Sequence, residues 1–123
     1  MDKLIFEINN YNDLIVFLES ADNEQKLAVI YVFKSSEKMI LATATYELLL
    51  LNHKSFYNFA TFDLDSLDRH AVKQLESIID FPGVPCFMLY DGWVQFALFF
   101  GKNAHNFENY LSHSEQKYSK IHN

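Results

Sequence analysis

Residues Asp80 to Gly92 read Asp-Phe-Pro-Gly-Val-Pro-Cys-Phe-Met-Leu-Tyr-Asp-Gly, and they constrain the fold more than any other stretch. They hold both prolines, the only cysteine and two of the three glycines. Pro82-Gly83 predicts a turn, because proline presets φ at the first central position and glycine accepts a positive φ at the second. Val84-Pro85 predicts a strand entrance, where a residue without an N–H is tolerated and where a cis X-Pro bond costs only about 1 kcal/mol. Phe87 to Tyr90 is apolar. Asp91-Gly92 is a hairpin signal that returns the chain through Val94 to Phe100.

A chain of 123 residues, half of them apolar, suffices for one domain with a core that needs no metal or disulfide. Net charge is −6 with Lys and Arg scattered, which argues against nucleic acid as a partner, since phosphate binding needs a basic stripe. Cys86 is the sole cysteine, so an intramolecular disulfide and a cysteine-based zinc site are both excluded. His53, His70, His105, His113 and His122 form no His-x-x-x-His pair, and no glycine-rich phosphate loop occurs, so neither metal nor cofactor is expected. The apolar run before Glu7 is too short for a signal peptide. Met39 to Leu51, broken by Thr43, Thr45 and Glu47, is too short to span a bilayer. A cytoplasmic protein without a membrane partner is the expectation.

Along the chain, Leu4, Phe6 and Ile8 alternate with Ile5 and Glu7 as a short strand. Asn10 or Asn12 caps a helix with Leu14, Phe17, Leu18 and Ala21 on its apolar face. Leu27 to Phe33 is continuously apolar and rich in β-branched and aromatic residues, the pattern of a strand buried on both faces. Ser35 or Ser36 caps a second helix over Met39 to Leu51, with Glu37 at the positive end of its dipole. Phe56 to Leu64 is a third strand. Asp65 or Ser66 caps a helix whose core stripe is Leu67, Ala71, Leu75, Ile78 and Ile79. After the hairpin and Gly101, Phe107, Tyr110 and Leu111 form a short helix. Residues 1–112 thus make one domain, and 113–123 a polar tail. The order β-α-β-α-β-α-β-β-α predicts an α/β fold, a mixed sheet of about five strands with helices on both faces.

This order, with a Val-Pro strand entrance and two spaced glycines after it, resembles the thioredoxin family from Leu4 to Leu111. Gly83-Val84-Pro85 is similar to the family's Gly-Ile-Pro loop, whose proline is cis. Asp91-Gly92 is similar to its hairpin turn, and Gly101 to the glycine before its last helix. The family's dithiol chemistry does not carry over. The segment that would hold its Cys-x-x-Cys reads Phe33-Lys34-Ser35-Ser36-Glu37-Lys38-Met39, and no cysteine precedes Cys86. The position of the family's buried acid aligns with Tyr31, and the one tryptophan is Trp93. A dithiol–disulfide cycle within this chain is excluded by residue count.

What remains points to binding. The resemblance implies a thioredoxin-like module without redox activity that binds a protein partner, as adaptor, assembly factor or homodimer. Its docking face would be formed by Val84, Pro85, Ser35, Ser36, Glu37 and Trp93, together with the exposed part of the second helix. The alternative is a single-thiol protein acting through Cys86 in a mixed disulfide, against the ordinary reading of cysteine as a small buried apolar residue. Ser35 and Ser36 as nucleophiles lack a paired histidine and acid, so capping is their expected role. Asp63 and Asp65 project to one face of a strand end as a carboxylate pair, in an ordinary strand-to-helix junction. Trp93 to Phe100, with Gln95 its only polar side chain, predicts an apolar edge strand open to association.

Overall fold

The computed structural model describes residues 5–36, 46, 52–77, 79 and 83–100. Most of the helix predicted over Met39 to Leu51 lies outside them, as do Leu4, Glu37, Ile78, Pro82, Gly101, the predicted C-terminal helix and the tail. Strand β1 spans Ile5–Glu7, helix α1 Tyr11–Asn23, β2 Leu27–Phe33, β3 Tyr57–Asp63, helix α2 Arg69–Glu76, β4 Cys86–Asp91 and β5 Val94–Phe100. Tyr46, Asn52 and His53 are also helical.

The strands form one mixed sheet in the order β1-β3-β2-β4-β5. β1 and β2 run parallel to β3, whereas β4 is antiparallel to β2 and β5 antiparallel to β4. This is the expected α/β architecture, with parallel strands joined by crossovers and a closing antiparallel hairpin. β2 lies at its centre, and Leu27 through Val32 are all buried. Its period of two divides the interior. Ala28, Ile30 and Val32 face a core with Leu14, Phe17, Leu18 and Ala21 of α1, Leu75 of α2, Ile79, and Cys86, Met88 and Tyr90 of β4. Leu27, Val29 and Tyr31 face a second core with Tyr46, Tyr57, Phe59, Phe87 and Leu89.

Helix α1 starts where its sequence predicts. The Asn10 side chain accepts the Asp13 N–H at 2.9 Å, and the Asp13 carboxylate accepts the Asn9 N–H at 3.0 Å, so two groups at the helix start are satisfied reciprocally. Helix α2 starts later than expected. Its cap is Asp68, which accepts the Ala71 N–H at 2.7 Å, because Asp65 and Ser66 are engaged in the turn after β3. In the hairpin, Gly92 has φ +59° and sits first in the two-residue Gly92-Trp93 turn. A positive φ at that position alone is the pattern of a type II′ turn, which selects glycine. A bulge follows: Leu89 pairs with Ala97 and Tyr90 with Gln95, so the register of β5 shifts by one residue at this point.

The second core is largely aromatic. The Tyr31 ring stacks on Phe33 at 5.0 Å and on Phe87 at 4.9 Å, and Tyr46 meets Tyr31 at 5.0 Å and Phe59 edge-on at 5.4 Å. Burial of the Tyr46 hydroxyl is compensated by donation to the Ala60 carbonyl at 2.6 Å, with the Val29 carbonyl at 3.3 Å. Removing one buried hydrogen bond of this kind costs about 1 kcal/mol. Tyr46→Phe is therefore expected to lower the urea midpoint with an unchanged denaturant slope. An unaltered midpoint would remove this hydroxyl from the energetics of the fold.

Candidate functional site

The antiparallel pairing of β2 with β4 decides which loops meet. Val32 is opposite Cys86, so the chain leaving β2 and the chain entering β4 lie side by side at one end of the sheet, about 5 Å apart. Lys34, Ser35 and Ser36 follow β2, while Gly83, Val84 and Pro85 precede β4. The Val84–Pro85 peptide is cis. Ser35 and Ser36 are exposed, and Val84 and Pro85 are half-buried, with the Val84 side chain packed on the α1–α2 core.

The Ser35–Ser36 segment is held by two carboxylates from the end of β3. Parallel pairing sets Phe33 beside Asp63, and Asp63 accepts the N–H groups of Ser35 and Asp65, each at 3.0 Å. Asp65 accepts the Ser36 N–H at 2.8 Å and also a short hydrogen bond from the Ser36 hydroxyl. The Ser36 hydroxyl, then its N–H, and more weakly the charge of Lys34 hold the Asp65 carboxyl below its ordinary range. The two acids thus act as a clasp on the loop, a role that depends on the β2–β3 register. Beside the clasp, Glu7, Ile8, Asn9, Phe33, Thr61, Asp63 and Ser66 line a hollow of about 180 Å³. Among the described residues, no three His, Cys, Asp or Glu side chains converge to hold a metal ion.

Cys86 occupies the first position of β4 and points into the α1–α2 core in alternation with Met88 and Tyr90. Its side chain is free and has no exposed surface. Burial pushes the thiol up to about 12, away from the thiolate that a nucleophile or mixed-disulfide former requires. Tyr31, at the position the resemblance implies for a buried acid, is a buried ring within the aromatic stack. Trp93 is not brought to this surface. It lies in the turn at the far end of β4, about 17 Å away along a six-residue strand, and is 52% exposed. Glu37 lies outside the described residues.

These perturbations fix the sign of two pH effects. Cys86 is raised in the folded state, so its contribution is intact below the thiol's ordinary value, near 8.5 to 9, and is lost as pH rises toward about 12. Cys86→Ala is expected to flatten the loss of stability over that window, measured by urea unfolding from pH 8 to 11. Unchanged curvature would show that the thiol does not titrate with unfolding. Asp65 is lowered, so its contribution is present above the ordinary carboxylate value and fades as pH falls through the folded-state value. Asp65→Asn is expected to reduce the acid-side slope below pH 4. An acid limb identical to wild type would mean that the clasp adds nothing to stability.

No family model matches the sequence, and no curated protein sequence matches it significantly. Solved structures do. The germline-specific thioredoxin Deadhead from Drosophila melanogaster aligns with a TM-score of 0.70 at 20% identity, covering 86% of this chain and 95% of that one. A poplar thioredoxin h mutant aligns with a TM-score of 0.78 at 14% identity, covering 92% of this chain and 84% of its own. Thioredoxin O1 from Arabidopsis thaliana, in its oxidized state, aligns with a TM-score of 0.69 at 12% identity over 90% of this chain and 97% of that one. At such identities the likeness speaks to architecture and not to chemistry. The strand order, the Val84–Pro85 entrance to β4 and these alignments agree on one conclusion: the chain has the thioredoxin fold.

Proposed function

We propose that this protein is a redox-inactive binding module on the thioredoxin fold, which docks an extended segment of a partner protein at the Val84–Pro85 loop. The observation that carries this reading is the contrast between two halves of one surface. The cis Val84–Pro85 loop stands beside the exposed Ser35 and Ser36, while the only cysteine is buried under it. A loop entering a strand offers backbone N–H and C=O groups to an extended peptide, and side chains next to it supply selectivity. The clasp of Asp63 and Asp65 supports this role, because a docking loop with fixed backbone loses less conformational freedom on binding.

The partner is a protein, with the module acting as adaptor, assembly factor or homodimer in the cytoplasm, and with no part for nucleic acid or membrane. Among the described residues, no helix is long and apolar enough to cross a bilayer. Trp93, with Val94 and Phe96 on the edge strand, belongs to a separate apolar surface where self-association would occur. The single-thiol reading requires Cys86 to reach solvent, and its burial weighs against that.

The test is affinity capture from native lysate with four baits. Ser35→Trp keeps the backbone N–H that Asp63 accepts but fills the space beside the Val84–Pro85 loop, so it is expected to lose the wild-type partner. Cys86→Ser and Trp93→Ala are expected to retain it. A disulfide-linked adduct trapped by wild type and absent with Cys86→Ser would replace this proposal with the single-thiol one. Retention by Ser35→Trp would move docking elsewhere.

A further inference from the structure

Toward the other end of the sheet, α1 and the β1–β3 edge enclose a groove of about 380 Å³, within the range of small-molecule sites. One end is apolar. Phe6 and Phe17, stacked at 5.8 Å, form its wall, and Val16 presents an aliphatic side chain that is 55% exposed. The opposite end is cationic. Lys26 and Lys54 both line it, and the Lys26 ammonium donates to the Lys54 carbonyl at 3.4 Å. Neither lysine makes an ion pair among the described residues. Among the described residues, Glu24 is the one carboxylate on the rim, and it already accepts a hydrogen bond from the Asn58 side chain. In a chain of net charge −6 the two lysines make a local inversion of sign.

The spacing of these ends specifies a ligand. Phe6 is level with Ala60 in the parallel pair, whereas Lys26 immediately precedes Leu27, which is level with Tyr57, three residues earlier on β3, so the cationic end begins about 10 Å along the strand. We propose that the groove binds a small amphipathic carboxylate. Its head lies between Lys26 and Lys54, and its straight apolar tail runs along Val16, Phe17 and Phe6. Attraction between the head and two ammonium groups orients the ligand, and burial of the tail supplies the remaining affinity. Phe17 also belongs to the α1–α2 core, so occupancy is felt by the packing of α1.

Octanoate matches this length and is the probe, with octanol as its uncharged control. In amide ¹H–¹⁵N spectra of the full chain, octanoate is expected to shift Val16, Phe17, Lys26 and Asn58 in a saturable manner. Combining Lys26→Gln with Lys54→Gln, at a half-buried and an exposed position, is expected to weaken octanoate about fivefold while leaving octanol unchanged. Ser20→Trp, which fills the groove, is expected to abolish both responses. Equal octanoate affinity in the double variant would overturn the proposal. So would shifts centred on Trp93 and Val94, or contacts from residues 1–4 to Phe17 with no octanoate response, which would make the chain's own N-terminus the occupant.

Discussion

The structure depends on β2 being buried on both of its faces. A strand in that position must have apolar side chains in both phases of the pleat, and Leu27 to Val32 supplies them without interruption. Its two edges are also used, by β3 in parallel and by β4 in antiparallel register. Each core therefore shares β2 as its floor. A polar group placed anywhere along it would be stranded in one core or the other, with a cost of about 1 to 3 kcal/mol if unpaired.

From that strand the geometry of the candidate site follows. Because β3 and β4 run in opposite directions on either side of β2, the end of β3 and the start of β4 arrive together at one end of the sheet. The end of β3 contributes carboxylates, and the start of β4 contributes the proline loop. Ser35 and Ser36 stand between them and are fastened to the acidic side. The polar loop is thereby fixed by one half-buried acid, Asp63, and one exposed acid, Asp65, and it is the register of β2 against β3 that selects which acids these are.

Much of this was legible in the residues. The unbroken apolar run of β2 announced a central strand, and Asp91-Gly92 announced the hairpin. The ordinary reading of Cys86 as a small buried apolar residue matches its place on a core face. Other features need distances that no sequence pattern contains. Asp65, Ser66 and Asp68 all have cap chemistry within four residues, and Asp68 became the cap because Asp65 found Ser36 across a gap of 29 positions. Trp93 follows the proline loop by only eight positions, yet the length of β4 separates them in space. The lysines at the α1 groove, 28 positions apart in sequence, carry no local signal at all.

The position of Trp93 has a consequence for how unfolding of this protein can be observed. As the only indole, half exposed in the β4–β5 turn, it is already partly hydrated in the native state. Its emission reports the tip of a hairpin and changes little when the interior melts. The buried Tyr31, Tyr46 and Tyr57 sit inside the aromatic core, so near-ultraviolet dichroism of tyrosine is the signal that follows loss of packing. A difference between the two signals would time the opening of the edge hairpin against the opening of the sheet's centre.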